Sequence, residues 1–180
     1  MLKALFGVTE VDMAHSAMAV WADEEIAKSN RPVMFIVPMP GALVTAAAVM
    51  RQVTGNATYR AVKVSLYDAA NQAGERANFD YWPITEEDLK TYNFIVIDDV
   101  AESLRTYQAL LERLSAQGAS VKLLVLIDKP VAHRVEGLKP DFAPLTAEPH
   151  AWLVGEGMND GETVEGQQLR LKRGVFAKVV

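Results

Sequence analysis

The chain has 180 residues, half of them hydrophobic and 23% charged, with a net charge of −5 and a pI near 5.2. That suits one globular domain over 1–180 with a sizeable core and argues against a general electrostatic grip on nucleic acid. With no cysteine, disulfides and thiolate metal sites are excluded. No apolar run approaches the ~18 residues needed to span a bilayer, and no basic segment followed by an apolar core opens the chain. A cytoplasmic protein with no membrane partner is expected.

Residues 1 to 30 read mainly as helix, with Met13, Ala17, Val20, Trp21 and Ile26 near helical spacing and Asp12 as the cap. His15 beside that stripe reads as a surface or satisfied residue. Ser29-Asn30-Arg31-Pro32 breaks the helix. Val33 to Val37 is a short apolar run, the pattern of a strand buried on both faces. Pro38-Met39-Pro40-Gly41 is a tight loop, and Ala42 to Met50 is rich in helix formers.

Gly55-Asn56 marks a turn. Tyr59 to Leu66 suits a third strand, and Ser65 to Glu75 reads as a polar loop. Phe79 to Trp82 resumes a strand, and Pro83-Ile84-Thr85 leads into a surface turn or short helix.

The centre of the chain is Phe94 to Leu114. Phe94 to Ile97 is a second doubly buried run, and Asp98 and Asp99 stand where that strand should end. A polar loop, Glu102-Ser103-Leu104-Arg105-Thr106, precedes a helix carrying Leu110, Leu111 and Leu114, with Gly118 as its stop. In an open α/β sheet, ligand chemistry gathers where strands end. Carboxylates there hydrogen-bond sugar hydroxyls or hold Mg²⁺. Hydroxyls and amides entering a helix receive phosphate. A phosphorylated ribose has both features. Val121 to Ile127 is a further strand, parallel to the first ones and ending in Asp128-Lys129-Pro130.

The window 98–106 resembles the phosphoribosyl-pyrophosphate motif of type I phosphoribosyltransferases, acid-acid-x-x-Asp-Thr/Ser-Gly-x-Thr after an apolar strand. Asp98 and Asp99 match the acidic pair, Glu102 the second acid, Ser103 the Thr/Ser and Thr106 the final Thr. Leu104 takes the glycine position, where the family backbone often has φ > 0 and a side chain is penalised. Other segments agree in order. Gly41 matches the pyrophosphate-loop glycine, with Pro40 where a Lys, Arg or Asn is common. Leu66 and Tyr67 fall at the Ser-Tyr pair of the mobile loop. Lys129 matches the lysine that meets the 6-oxo group of a purine. Pro140-Asp141-Phe142 matches a Pro-Asp-Tyr/Phe segment. Trp152-Leu153-Val154-Gly155-Glu156-Gly157-Met158-Asn159 resembles Phe-Val-x-Gly-Tyr-Gly-Met-Asp.

The resemblance is closest to bacterial hypoxanthine and xanthine-guanine enzymes. It implies an α/β fold with a mostly parallel sheet flanked by helices and a small hood from the chain ends. It implies transfer of phosphoribosyl from phosphoribosyl pyrophosphate to a 6-oxopurine, with Mg²⁺ as cofactor. Glu102 is then the general base. Asp98, Asp99, Ser103, Leu104, Arg105 and Thr106 hold ribose and phosphate. Lys129, Trp152 and Leu153 hold the base, and Asp98, Asp99 and Asn159 attend the metal. The family arginine that meets pyrophosphate has no counterpart near Glu165. By analogy with the family, a homo-oligomer, dimer or tetramer, is expected. Three readings stay open: the enzyme, a purine-nucleotide sensor or binding subunit that kept the pocket and lost pyrophosphate handling, or a structural descendant with no ligand.

Overall fold

A computed structural model describes residues 2–67, 73–158 and 164–178. The chain opens with strand β1 (Leu2–Phe6), not with the helix expected there. Helix α1 (Val8–Lys28) begins at Gly7, whose amide donates to Glu10 Oε2 at 2.8 Å. Asp12 is therefore not the cap. It lies in the helix and accepts from Arg173 Nη2 at 2.8 Å. β1 belongs to a three-stranded sheet in the order β1, β9 (Val175–Lys178), β8 (Leu153–Val154), antiparallel throughout. This is the hood, assembled from both ends of the chain.

The main sheet has six strands in the order β4 (Ala73–Tyr81), β3 (Ala57–Tyr67), β2 (Val33–Pro38), β5 (Asn93–Ala101), β6 (Val121–Asp128) and β7 (Leu145–Thr146). All neighbours are parallel except β3 and β4. The apolar runs are strands covered on both faces. Val33, Phe35, Ile95, Ile97, Leu124 and Leu126 join one core beneath α1 and α2 (Leu43–Met50). Met34, Ile36, Phe94, Val96, Leu123 and Val125 join the other, beneath α3 (Glu86–Thr91) and α4 (Arg105–Leu114). Alternate residues of one strand serve opposite layers, so the run needs no polar face.

α3 is capped reciprocally: Asp88 N donates to Thr85 Oγ1 at 3.1 Å and Thr85 N to Asp88 Oδ2 at 2.9 Å. The Arg113 guanidinium on α4 lies 4.3 Å and 4.4 Å from the ring centroids of Phe79 and Trp82. That contact ties the antiparallel hairpin to the helix layer. A single turn of 3₁₀ helix follows α4 and ends at Gly118 (φ +74°), the expected stop. Phe142 packs against Trp21, centroids 5.8 Å apart, and Asp141 Oδ2 accepts from Leu123 N at 2.7 Å. None of the helices among the described residues is long and apolar enough to cross a membrane.

Candidate active site

β5 runs on to Ala101, so Asp98 and Asp99 sit inside the strand and not past its end. The pleat sends them to two adjoining recesses. Asp99 lines a cleft of about 420 Å³ with Gly41, Glu102, Lys129, Trp152 and Arg170. Asp98 lines a smaller one of about 190 Å³ with Ser103, Leu104, Thr106 and Tyr107. Val100 and Glu102 border both. Burial, and then the charge of Asp99, push the Asp98 carboxyl well above the usual carboxylate range. Burial raises Asp99 as well, against a hydrogen bond with Asp98, the Val100 amide and the Arg170 charge.

Two backbone approaches shape the cleft. A Cβ on Gly41 would stand 2.7 Å from Asp99 Oδ2. One on Gly157, at φ +103°, would stand 2.1 Å from Gly41 O. Gly157 must be glycine for the hood to meet the loop after β2, and a side chain at Gly41 would displace the Asp99 carboxylate. Pro40 follows a cis peptide bond from Met39.

The smaller recess is floored by the loop into α4. Leu104 takes φ +62°, ψ +11°, the conformation the resemblance assigns to glycine. Its side chain is only 6% exposed and packs in the α4-side core. Strain of about 1–2 kcal/mol is offset by burial of an isobutyl group worth about 1.5–3 kcal/mol. α4 starts at Arg105, so Thr106 stands in its first turn. Arg105 itself is exposed, its amide 3.5 Å from Ser103 Oγ.

Lys129 is 8% exposed. Its Nζ donates to Glu102 Oε1 at 2.6 Å, so the lysine expected to bind the purine and the expected general base are paired with each other. A buried ammonium requires such a partner, and the half-exposed Glu102 supplies it from the loop. Trp152 is 54% exposed and flanks the cleft, while Leu153 is buried beneath it.

Arg170 is a cleft residue that sequence spacing missed. It lies on the 3₁₀ turn after α5 (Val164–Gln168), five residues beyond Glu165. Its Nη1 donates to Gly157 O at 2.9 Å and its Nε to Gln167 Oε1 at 2.9 Å. The only local signal was a cation in a short C-terminal helix. Leu66 is half-buried in β3, and Tyr67 ends that strand; Asp68 to Gln72 and Asn159 lie outside the described residues. Of the polar loop expected over Ser65 to Glu75, Ser65 to Tyr67 belong to β3 and Ala73 to Glu75 to β4.

Two acids, a cation and an aromatic thus share one cleft where the parallel strands of an α/β sheet end. The phosphoribosyl transferase domain matches residues 8–142, three quarters of the chain, and the protein belongs to that family. The hypoxanthine-guanine phosphoribosyltransferase of Lactococcus lactis is 35% identical over 71 residues, 39% of this chain and 38% of that protein. The enzyme of the same name from Leishmania donovani is 33% identical over 78 residues, 43% of this chain and 36% of its own. The chain thus spans under two fifths of the length of these relatives. A hypoxanthine phosphoribosyltransferase from Staphylococcus aureus superposes with a TM-score of 0.82 at 14% identity, over 97% of this chain and 90% of that one. A Bacillus anthracis hypoxanthine-guanine phosphoribosyltransferase gives 0.77 at 17%, over 98% and 99%. The shared fold is therefore nearly complete.

Proposed function

We propose that the protein transfers phosphoribosyl from phosphoribosyl pyrophosphate to a 6-oxopurine such as hypoxanthine, guanine or xanthine, as in purine salvage. One observation carries the reading: Lys129 Nζ and Glu102 Oε1, 2.6 Å apart, border the same cleft as Asp99 and Trp152. A cation beside a carboxylate complements a heterocycle edge with a carbonyl next to a ring N–H. Lys129 donates to the 6-oxo oxygen, a charge-assisted bond. Glu102 takes the ring proton as the nitrogen bonds to C1′ and the C1′–oxygen bond to pyrophosphate breaks. Trp152 stacks on the base, and Leu153 offers its backbone to the ring edge.

Asp98 and Asp99 accept from the ribose hydroxyls. Ser103, the Leu104 backbone, Arg105 and Thr106 take the 5′-phosphate where α4 begins. Gly41 and Arg170 face the departing pyrophosphate, and Arg170 supplies a cation on the side where Pro40 supplies none. The residues fit Mg²⁺. Among the described residues no group of three or more acids or imidazoles could hold a metal, and this ion is commonly held by one or two carboxylates together with substrate phosphates. Asp99, with Asp98 beside it, provides the carboxylates; Asn159 completes the expected set. When bound, Mg²⁺ neutralises charge that builds on the pyrophosphate.

The test measures nucleotide formation from labelled hypoxanthine, guanine and xanthine with phosphoribosyl pyrophosphate and Mg²⁺. Calorimetric binding of the purine monophosphates is run beside it. Turnover is expected. Binding without turnover would replace the enzyme by a nucleotide-binding subunit. The same reading carries a homo-oligomer, which light scattering tests.

A further inference from the structure

Arg134 has no part in the reading above. It follows β6 in an irregular turn, with its guanidinium mostly buried. Its Nη2 donates to Ala101 O at 2.6 Å and to Asp128 Oδ1 at 2.5 Å, and its Nε donates to Glu102 O at 3.0 Å. Backbone bonds close the same junction: Lys129 N donates to Ala101 O and Val135 N to Ser103 O, both at 3.0 Å. One planar fork therefore bridges the end of β5, the first residue of the loop and the end of β6.

Each anchor is adjacent to a cleft residue or is one. Ala101 precedes Glu102, and Asp128 precedes Lys129. Ala101 O thus accepts twice, from the ladder amide of Lys129 and from Arg134 Nη2, while Glu102 O, past the last residue of β5, accepts from Arg134 Nε. The loop also carries Leu104 at φ +62°, a conformation that persists only where the surroundings over-determine it. A guanidinium holds two carbonyls and a carboxylate in a fixed geometry, whereas a lysine ammonium on a flexible stem does not.

We infer that Arg134 is a positioning residue that sets the separation of Glu102 and Lys129, and through it the selectivity of the cleft for the base. The inference rests on the proposed base site.

Calorimetry compares inosine monophosphate with ribose 5-phosphate on the wild-type protein, Arg134→Gln, Arg134→Lys and Asp128→Asn. Misplacing reacting or binding groups by a fraction of an ångström to 1 Å costs up to ~100-fold. Arg134→Gln is expected to weaken the monophosphate about tenfold or more and ribose 5-phosphate less than about twofold. Arg134→Lys should recover little of this, and Asp128→Asn should show a smaller loss in the same sense. In the Lys129→Met background, Arg134→Gln should add almost nothing, because the partner being positioned is gone. Equal losses for both ligands, or fully additive losses in the double variant, would overturn the inference while leaving the base site standing. Failure of the wild-type protein to bind the monophosphate would overturn both.

Discussion

Replacing Lys129 by methionine isolates the cation from the packing. Lys129 is nearly buried and its partner, Glu102, is half-exposed. Removing the ammonium leaves a carboxylate that water can solvate. The desolvation of a buried charge is relieved at the same time, and the methionine keeps most of the volume. In the ligand-free protein the two effects nearly cancel, so stability should change by no more than ~1 kcal/mol in either direction. Binding is another matter. A hydrogen bond from a charged donor contributes about 1.5–3 kcal/mol, which is roughly 10- to 150-fold in affinity at 1.4 kcal/mol per decade. Urea unfolding and calorimetry on Lys129→Met should therefore show near-native stability. Inosine monophosphate should bind 10- to 150-fold more weakly, by the same estimate, with ribose 5-phosphate unchanged. Equal weakening of both ligands would remove Lys129 from base recognition. A stability loss above ~3 kcal/mol would refute the claim that Glu102 is rescued by solvent.

At Leu104 the usual order of substitutions should reverse. Alanine keeps the strain at φ +62° and loses the buried isobutyl group, at about 2–5 kcal/mol; glycine loses the same group but regains about 1–2 kcal/mol of strain. Denaturant melts in which Leu104→Ala proved more stable than Leu104→Gly would contradict the account. Gly157→Ala drives a Cβ to 2.1 Å from Gly41 O and should weaken pyrophosphate binding more than purine binding; normal pyrophosphate affinity would refute that placement. The burial-raised Asp98 carboxyl has a folded pKa above its ordinary 3.8, so its ionised form opposes folding. Its contribution is lost as pH rises from about that value through the folded one. Without divalent cations, Asp98→Asn should raise the melting temperature at pH 7, with the gain shrinking toward pH 4; a lowered value at pH 7 would reverse the sign. His15 acts oppositely. Burial holds its pKa below 6.5, ahead of Asp12, which raises it, and Arg51 and Arg173, which lower it further. Stability should fall as pH drops below 6.5, and His15→Gln should flatten that arm of a melting-temperature profile.

Much of the architecture was written locally. Val33–Val37, Phe94–Ile97 and Val121–Ile127 are apolar without alternation, which only strands covered on both faces accommodate. The acids Asp98 and Asp99 were legible as polar residues after an apolar run, although β5 continues past them to Ala101. The resemblance to the family added Gly41, Glu102, Lys129, Trp152 and the order of the segments.

Long-range packing supplied what local pattern does not encode. β1 is five residues without strong strand character, and it exists because β9, at the other end of the chain, pairs with it. Arg170 reaches the cleft from a distant turn, its Nη1 donating to Gly157 O. The Lys129–Glu102 pair joins the ends of two adjacent parallel strands. Arg134 reaches the same junction from a turn with no regular pattern. Periodicity reports which side of an element is buried; it carries no information about which distant backbone group a guanidinium will find. A polypeptide's hydrophobic pattern thus settles its layers, while the meeting of charged groups across strand ends depends on how those layers are stacked.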